Sequence, residues 1–195
     1  MAEIYLMMNK PKGYVCSAAS DSHKTVYELL PPELQDLVKN AKRGHRLHTI
    51  GRLDADTTGL LLFTTDGIFS HKIAVSVVEP VETTLTPISK TYKATLRYDV
   101  TPDQQKQYIT RAAGGLTLPP EKKAPEQQAA PAKIKFISSS TAEIIVTEGK
   151  FHEVRRIFRA LGNEVIELQR IAIGKLQLPP ELAPGEYQIF NSFLI

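Results

Sequence analysis

Cysteine is nearly absent from this sequence of 195 residues, in which Cys16 is the only one. A single thiol forms no intrachain disulfide and cannot supply a thiolate metal cluster, so a reducing compartment fits the chain. Apolar runs approaching the roughly 20 residues of a membrane span are also missing. The opening MAEIYLMMNKPKG carries an early acid, Glu3, and lacks the layout of a signal peptide. We therefore expect a cytoplasmic protein without a membrane partner.

A strong charge of either sign is missing too. The chain has 24 basic and 21 acidic residues, a net charge of +3 and a pI near 8.9. Residues 1–100 carry 12 basic and 11 acidic groups, and residues 101–195 carry 12 and 10, so neither half is a basic tail. This balance permits nucleic acid as a partner but requires that any RNA-binding surface be a local patch.

The common cofactor and metal motifs are absent. The sequence has no GxGxxG, no phosphate-binding P-loop and no HExxH, because His152-Glu153 has no second histidine at the required spacing. We expect a protein that uses neither a cofactor nor a metal.

Short apolar or alternating runs, separated by turns rich in proline and glycine, predict more strands than helices. Strands are predicted at 4–8, 14–17, 60–63, 90–98, 133–137, 142–147, 165–173 and after 185. Helices are predicted at 25–40 with a break at Pro31-Pro32, at 69–78, from Thr101 onward and at 151–161. Residues 118–132 read as a surface loop, and 78–90 as an insertion without an assigned role. The pattern favours an α+β fold, a largely antiparallel mixed sheet flanked by helices.

One segment combines charge with a buried strand. Residues 48–67 read HTIGRLDADTTGLLLFTTDG, so Arg52, Asp54 and Asp56 lie in a polar loop directly before an uninterrupted apolar run. A carboxylate held beside a core is where low dielectric makes it chemically useful. On residue types alone, three other interpretations compete: a capped, solvated turn, a calcium loop and a glycosidase carboxylate pair. The calcium loop lacks its bidentate glutamate, since Thr65 occupies position 12.

The string GRLDADTTGLL, residues 51–61, resembles the G-R-L-D-x-x-(T/S)-x-G-L-L signature of RNA pseudouridine synthases. Three further motifs occur in the expected order. They are NKPKGYVCS at 9–17, KTY at 90–92 and EGKFHEVRRIF at 148–158. The chain is thus identified as a member of this family. NKPKGYVCS, together with LGNEVIELQRIAIG at 161–174, looks most like the RsuA-like branch, which modifies small-subunit ribosomal RNA.

Two features depart from that branch. Glu153 stands where glutamine is more usual. The chain also begins at the first catalytic motif, without the small N-terminal RNA-binding module usual in the branch. We accordingly expect residues 1–195 to form a single pseudouridine synthase catalytic domain with a central cleft, either undivided or built as two interlocked lobes.

The resemblance implies roles for four residues. Asp54 would be the catalytic carboxylate, acting either as a nucleophile at C1′ or C6 or as a general base at C2′. Arg155 would face Asp54 and hold it ionised. Arg52 would help fill the space left by the flipped nucleotide, and Tyr92 would stack on the uracil.

Basic residues outside this set are candidates for phosphate contacts. They fall into a cluster before the Asp54 segment, a cluster in the late motif and one residue in the first motif: Lys42, Arg43 and Arg46; Lys150, Arg156, Arg159 and Arg170; and Lys10.

We therefore predict an isomerase that converts a uridine of ribosomal RNA to pseudouridine. The expected substrate is 16S RNA, and 23S RNA is the alternative within the family. Its substrate is ribosomal RNA, either free or in an assembling subunit, and the enzyme is expected to be a monomer. The alternative from another class is a non-catalytic RNA-binding or ribosome-assembly protein on the same scaffold.

Overall fold

The computed structural model describes residues 2–42, 44–74 and 88–191. The predicted insertion at 78–90 lies mostly outside these residues, as does the end of the helix predicted at 69–78. Within the described part of the chain, no helix is long and apolar enough to cross a membrane.

Four α-helices, one short 3-10 helix and eleven strands are present in the described residues. The helices are α1 (Pro32–Lys39), α2 (Gly67–Ala74), α3 (Pro102–Ala113) and α4 (Glu153–Ala160), and the 3-10 helix is Val26–Leu29. The strands are β1 (Tyr5–Lys10), β2 (His48–Ile50), β3 (Thr57–Thr64), β4 (Lys90–Leu96), β5 (Thr117–Leu118), β6 (Gln127–Gln128), β7 (Lys133–Phe136), β8 (Thr141–Val146), β9 (Val165–Ile173), β10 (Leu176–Gln177) and β11 (Tyr187–Ile189).

The chain divides into two compact units. Unit 1 comprises residues 1–88 and 170–195, and unit 2 comprises residues 89–169. Strand β9 passes through the boundary, with residues 165–169 in unit 2 and 170–173 in unit 1. The expected α+β class with antiparallel pairing is confirmed, and the central cleft stays a prediction.

Unit 1 is built on the strand order β11-β1-β3-β9, with β2 also paired to β3. Strands β1 and β3 are antiparallel over six residue pairs, from Tyr5↔Thr64 to Lys10↔Gly59. Both strands are buried almost throughout, because apolar side chains cover both faces of the sheet here. Met7, Leu60 and Leu62 belong to the core of this unit, which α2 and the later strands complete.

Unit 2 has the strand order β9-β4-β8-β7. Strands β4, β8 and β7 are antiparallel neighbours, and the predicted hairpin at 133–147 is confirmed as β7 and β8. Alternate residues of β8 are buried, so one face of this sheet packs on the core. Helices α3 and α4 contribute Tyr108, Ile157 and Phe158 to that core.

Two of the predicted elements are wrong. Residues 14–17 form no strand, and only an isolated parallel bridge joins Val15 to Thr25. Residues 118–132 are not a simple surface loop, since Leu118, Ala129 and Ala132 are buried in the core of unit 2. The predicted helix at 25–40 is divided at Pro31, as expected, into the 3-10 helix and α1.

Candidate active site

Asp54 lies in the loop between β2 and β3, and this loop is closed by local geometry. Gly51 adopts φ +68°, a conformation that glycine enters without strain. The carbonyl of Asp54 accepts a hydrogen bond from Thr57 N at 3.1 Å, which forms a turn leading into β3. Asp54 is half-buried, whereas Arg52 and Asp56 on either side are exposed. The loop thus places Asp54 directly before a strand that is buried almost throughout.

Lys10, from the first motif, supports this loop from inside the protein. Its side chain is fully buried, and its Nζ donates to the carbonyls of Thr57 at 2.8 Å, Pro11 at 3.1 Å and Ala55 at 3.4 Å. Burial lowers the pKa of Lys10, and the negative charges of Asp56 and Asp54 oppose that shift. The buried ammonium therefore ties the first motif to the Asp54 loop. Its burial contradicts the predicted RNA contact of Lys10.

Cys16 forms a second tie between the same two segments. Its Sγ donates to the carbonyl of Leu53 and accepts from Leu53 N, each at 3.4 Å. Burial raises the pKa of the Cys16 thiol, while the positive charges of Lys10, Arg170 and Arg52 act in the opposite direction. The thiol thus serves as a buried hydrogen-bonding group that fixes the residue directly before Asp54.

Arg170 is buried as well, with 2% of its surface exposed. Its Nε donates to the carbonyl of Leu60 at 2.7 Å, which attaches the start of the second segment of unit 1 to β3. A phosphate cannot reach a guanidinium that is enclosed in this way, so the prediction that Arg170 contacts RNA is wrong for this conformation.

Tyr92 and Arg155 lie in unit 2. Tyr92 is half-buried on β4, opposite Ile144 of β8, and packs against the core of its unit. Arg155 is in the first turn of α4, and its Nη1 donates to the carbonyl of Val165 at 2.9 Å. That bond orients the guanidinium plane relative to β9. The predicted pairing of Arg155 with Asp54 stays a prediction.

Helix α4 begins after a strained residue. His152 has φ +48°, the left-handed region that β-carbon-bearing residues rarely enter, and its ring stacks on Phe151 with centroids 3.8 Å apart. Nδ1 of His152 lies 2.9 Å from a carboxylate oxygen of Glu121, which supports this conformation. The late motif therefore begins with a fixed turn directly before Arg155.

A pair of acids at the same turn, buried Glu153 and half-buried Glu148, is a feature that sequence reasoning missed. Glu153 is 6% exposed, and burial, followed by the charge of Glu148, raises its pKa to about 7. Glu148 is held in the opposite state: burial raises its pKa, but hydrogen bonds from Lys150 and Ala130 N outweigh burial and lower the pKa overall. The one sequence feature that could have indicated this pair is Glu153 itself, because glutamine is more usual at its position in the family motif.

The remaining basic candidates divide by exposure. Arg156 is fully buried and donates to backbone carbonyls, so the prediction that it contacts RNA is wrong. Lys42 and Arg46 are exposed, Lys150 forms an ion pair with Glu148, and Arg159 forms one with Glu121. The prediction for Arg43 lies outside the described residues. Within the described residues, there is no cluster of three or more histidine, cysteine, aspartate or glutamate side chains that could bind a metal ion.

Comparison with known proteins extends these findings. Residues 4–160 match the family model described as RNA pseudouridylate synthase. The chain is 38% identical over 184 residues to "Ribosomal small subunit pseudouridine synthase A" of Yersinia pestis, an alignment that covers 94% of this chain and 68% of the relative. The protein of the same name from Escherichia coli (strain K12) is also 38% identical, with 94% and 69% covered.

Solved structures of other proteins also match this chain. A crystal structure of a pseudouridylate synthase is 34% identical, with a TM-score of 0.78, and the match covers 98% of this chain and 72% of the other. At 17% identity and a TM-score of 0.54, the archaeal box H/ACA sRNP Nop10-Cbf5 complex shares the fold over 93% of this chain and 51% of its own.

Proposed function

The chain belongs to the RNA pseudouridylate synthase family, and from this premise we propose that it isomerises one uridine of 16S ribosomal RNA to pseudouridine. The reaction detaches uracil from C1′, rotates it and rejoins it through C5, so it needs no redox partner. Relatives named for the small ribosomal subunit, 38% identical over 94% of the chain, support 16S RNA over 23S RNA as the substrate.

Asp54 is the group that we propose to act on the substrate. The observation that carries this role is its position: a half-buried carboxylate on a loop that Lys10 and Cys16 tie at both sides. Burial lowers the pKa of Lys10 and the negative charge of Asp54 opposes that shift, so the two groups interact electrostatically. An ionised, fixed carboxylate suits both routes, nucleophilic attack at C1′ or C6 and removal of the C2′ proton.

Three residues are proposed to assist Asp54. Arg52 is exposed two residues before Asp54, which suits a side chain that fills the place of a flipped nucleotide. Tyr92 offers a half-buried ring for stacking on uracil. Arg155, oriented by the carbonyl of Val165, would pair with the Asp54 carboxylate.

For RNA binding, the candidates that keep an accessible side chain are Lys42, Arg46, Lys150 and Arg159. We propose that the enzyme works as a cytoplasmic monomer on free ribosomal RNA or on an assembling subunit. The rival within the family is an enzyme for 23S RNA, and the rival from another class is an RNA-binding or assembly protein without catalysis.

The test is a pseudouridine map of ribosomal RNA from cells that lack this protein, complemented with wild type, Asp54→Asn or Asp56→Asn. We expect one 16S site to disappear and to return with wild type and with Asp56→Asn, because Asp56 is an exposed carboxylate of the same loop. Asp54→Asn keeps the shape of the side chain but loses the charge, so it should not restore the site.

RNA affinity of the purified Asp54→Asn protein should remain within a few fold of wild type. Loss of a 23S site instead would keep the chemistry and refute the 16S assignment. No lost site, together with RNA binding by wild type, would favour the non-catalytic rival. Failure of Asp56→Asn to restore the site would mean that the reaction also requires Asp56, and the choice of Asp56→Asn as a neutral control would be wrong.

A further inference from the structure

A groove of about 540 Å³ lies within unit 2, at the ends of two helices. Arg111, in the last turn of α3, and Arg159, in the last turn of α4, line it together with Thr117 and Gln128 of the β5–β6 pair and with Pro119 and Pro120. Its volume falls within the roughly 300–1,000 Å³ of pockets that hold small organic ligands. The groove is therefore large enough for a nucleotide and is open to the outside.

The groove residues Pro119 and Pro120 belong to a segment, residues 118–125, that Arg156 anchors by hydrogen bonds. This fully buried guanidinium donates to the carbonyls of Pro119 at 2.9 Å, Pro125 at 2.7 Å, Leu118 at 3.4 Å and Phe151 at 3.3 Å. Three of these four hydrogen bonds thus reach backbone carbonyls on both sides of the turn at 121–124, and the fourth reaches Phe151, just before α4. Because this proline-rich segment is already ordered, binding a ligand there loses less conformational entropy than binding to a mobile loop would.

The pinned segment displays two lysines at its tip. Glu121 and Ala124 exchange backbone hydrogen bonds of 2.8 and 2.9 Å, so Lys122 and Lys123 occupy the two central positions of a tight turn, where both are exposed. Glu121 at the base of the turn binds Arg159 of the groove wall at 2.9 Å. The turn and the groove therefore form one surface, which we call the Lys-turn groove.

The chemistry of the Lys-turn groove matches an unpaired nucleotide. Its four cations, Arg111, Lys122, Lys123 and Arg159, exceed its two carboxylates, Glu121 and Glu126, so the surface is positive. The Arg111 guanidinium, which donates to the carbonyl of Ala160 at 2.9 Å, offers a flat face to a base, and the proline rings offer apolar contact. The Thr117 hydroxyl donates to Oε1 of Gln128 at 3.1 Å, and the exposed Gln128 amide can donate from its Nε2 to the edge of the base. Single-stranded RNA is recognised by this combination of stacking, edge hydrogen bonds and phosphate contacts.

We propose that the Lys-turn groove is an RNA-binding site that takes a single-stranded segment of the substrate RNA, with Lys122 and Lys123 on its phosphates and Arg111 against a base. This inference rests on the proposed function for the identity of the RNA. It assigns the site a part in holding the substrate and no part in the chemical step.

Charge reversal tests the phosphate contacts. The Lys122→Glu/Lys123→Glu protein should bind a 16S RNA transcript at least tenfold more weakly than wild type at physiological salt. Its slope of log affinity against log salt should be shallower by about 1.4, because each phosphate contact with a single strand contributes about 0.7. The matched control is Lys133→Glu/Lys135→Glu, which reverses two exposed charges on β7 of the same unit and should change affinity by less than twofold.

Stacking is tested at Arg111. Arg111→Ala should weaken binding of a uridine-rich single-stranded oligonucleotide about tenfold, and Arg111→Lys should recover little of that loss because it restores the charge without the plane. Lys106→Ala, which removes one exposed charge from the same helix, should leave binding within twofold. Thermal melting of each variant checks that the fold is intact. The same oligonucleotide carrying 4-thiouridine should crosslink under near-ultraviolet light to residues 111–128.

The outcomes separate this inference from the proposed function. If wild type modifies 16S RNA while Lys122→Glu/Lys123→Glu binds and modifies it normally, the groove inference is overturned and the function stands. Normal activity of that variant on naked RNA with loss only on assembling subunits would also overturn it, because the groove would then bind a protein. If wild type modifies no ribosomal RNA but the oligonucleotide crosslinks to residues 111–128, the proposed function fails and the site remains.

Discussion

Glu153 is a buried carboxyl group that faces a second carboxylate, Glu148, and the ammonium of Lys150. Because Glu148 is already ionised, Glu153 is stable here only while it keeps its proton and donates it to Glu148. The pKa of Glu153 rises to about 7 from its ordinary 4.5, so the folded protein holds this proton more tightly than the unfolded chain does. Stability from this group is therefore fully present below about pH 4.5 and is lost as the pH rises through 7.

We predict that Glu153→Gln removes this loss. A glutamine amide donates to Glu148 at every pH, so the variant should lie within about 1 kcal/mol of wild type near pH 5 and exceed it by more in free energy of unfolding at pH 8. The gain at pH 8 should reach up to about 3 kcal/mol, at about 1.4 kcal/mol for each unit of pKa shift. Denaturant unfolding at pH 5, 6.5 and 8 measures the difference between the two proteins.

Glu126→Gln serves as the control, because Glu126 is an exposed carboxyl of the same unit. Its difference from wild type should not vary with pH by more than a few tenths of a kcal/mol. If the free energy of unfolding of Glu153→Gln also differs from that of wild type by a constant amount from pH 5 to pH 8, then Glu153 is ionised in the folded protein. The inference that Glu153 donates a proton to Glu148 would then be wrong.

At the scale of single elements, α3 shows how local sequence sets a helix boundary. The Thr101 hydroxyl accepts a hydrogen bond from Gln104 N at 3.4 Å, and Gln104 Oε1 accepts one from Thr101 N at 2.9 Å. Pro102 occupies the first turn. This capping box satisfies two backbone donors that the helix itself leaves open. The start of α3 was predictable from Thr101-Pro102 for this reason.

Removing the cap should destabilise the protein. Thr101→Ala is expected to cost about 1 kcal/mol in free energy of unfolding, as threonine caps do elsewhere. Thr110→Ala, an exposed position inside the same helix, should instead stabilise by a few tenths, because alanine is the better helix former. Chemical denaturation of both variants checks the pair, and equal effects would mean that the cap contributes nothing.

Elements were predictable where their cause is local. Strand β9 has the predicted bounds, Val165–Ile173, and α4 begins within two residues of the expected start. Residues 118–132 were not predictable, because their order depends on Arg156, thirty or more residues away, donating to backbone carbonyls. Periodicity carries no trace of such a bond, and a buried arginine has the same letter as an exposed one.

The candidate site follows the same division. Asp54 and Arg52 are proposed from a motif that fixes residue types at fixed spacing. The burial of Lys10 and Arg170 was not found, since both read as ordinary cations in the sequence. Only the folded structure shows that the Lys10 ammonium donates hydrogen bonds to three backbone carbonyls at the Asp54 loop. Basic residues inside a catalytic motif are thus poor guides to an RNA-binding surface.

At the scale of the whole molecule, each unit has a core of its own. The core of unit 1 contains Leu62 and draws on both of that unit's chain segments, whereas the core of unit 2 contains Phe158 and lies within residues 94–168. Unit 2 is one continuous segment inserted between the two segments of unit 1. Cores that share no residues can open with different free energies even within one chain.

We therefore predict that core substitutions act unit by unit. Phe158→Ala should cost about 3–5 kcal/mol and Leu62→Ala about 2–5 kcal/mol, since both side chains are fully buried. In native-state hydrogen exchange, Phe158→Ala should lower the opening free energy of amides in β4 and β8 more than that of amides in β1 and β3. Leu62→Ala should do the reverse, because it leaves the core of unit 2 complete. If either substitution lowers the opening free energy of amides in all four strands by the same amount, the two units open together. The division into two units would then describe the packing of the chain but not its stability.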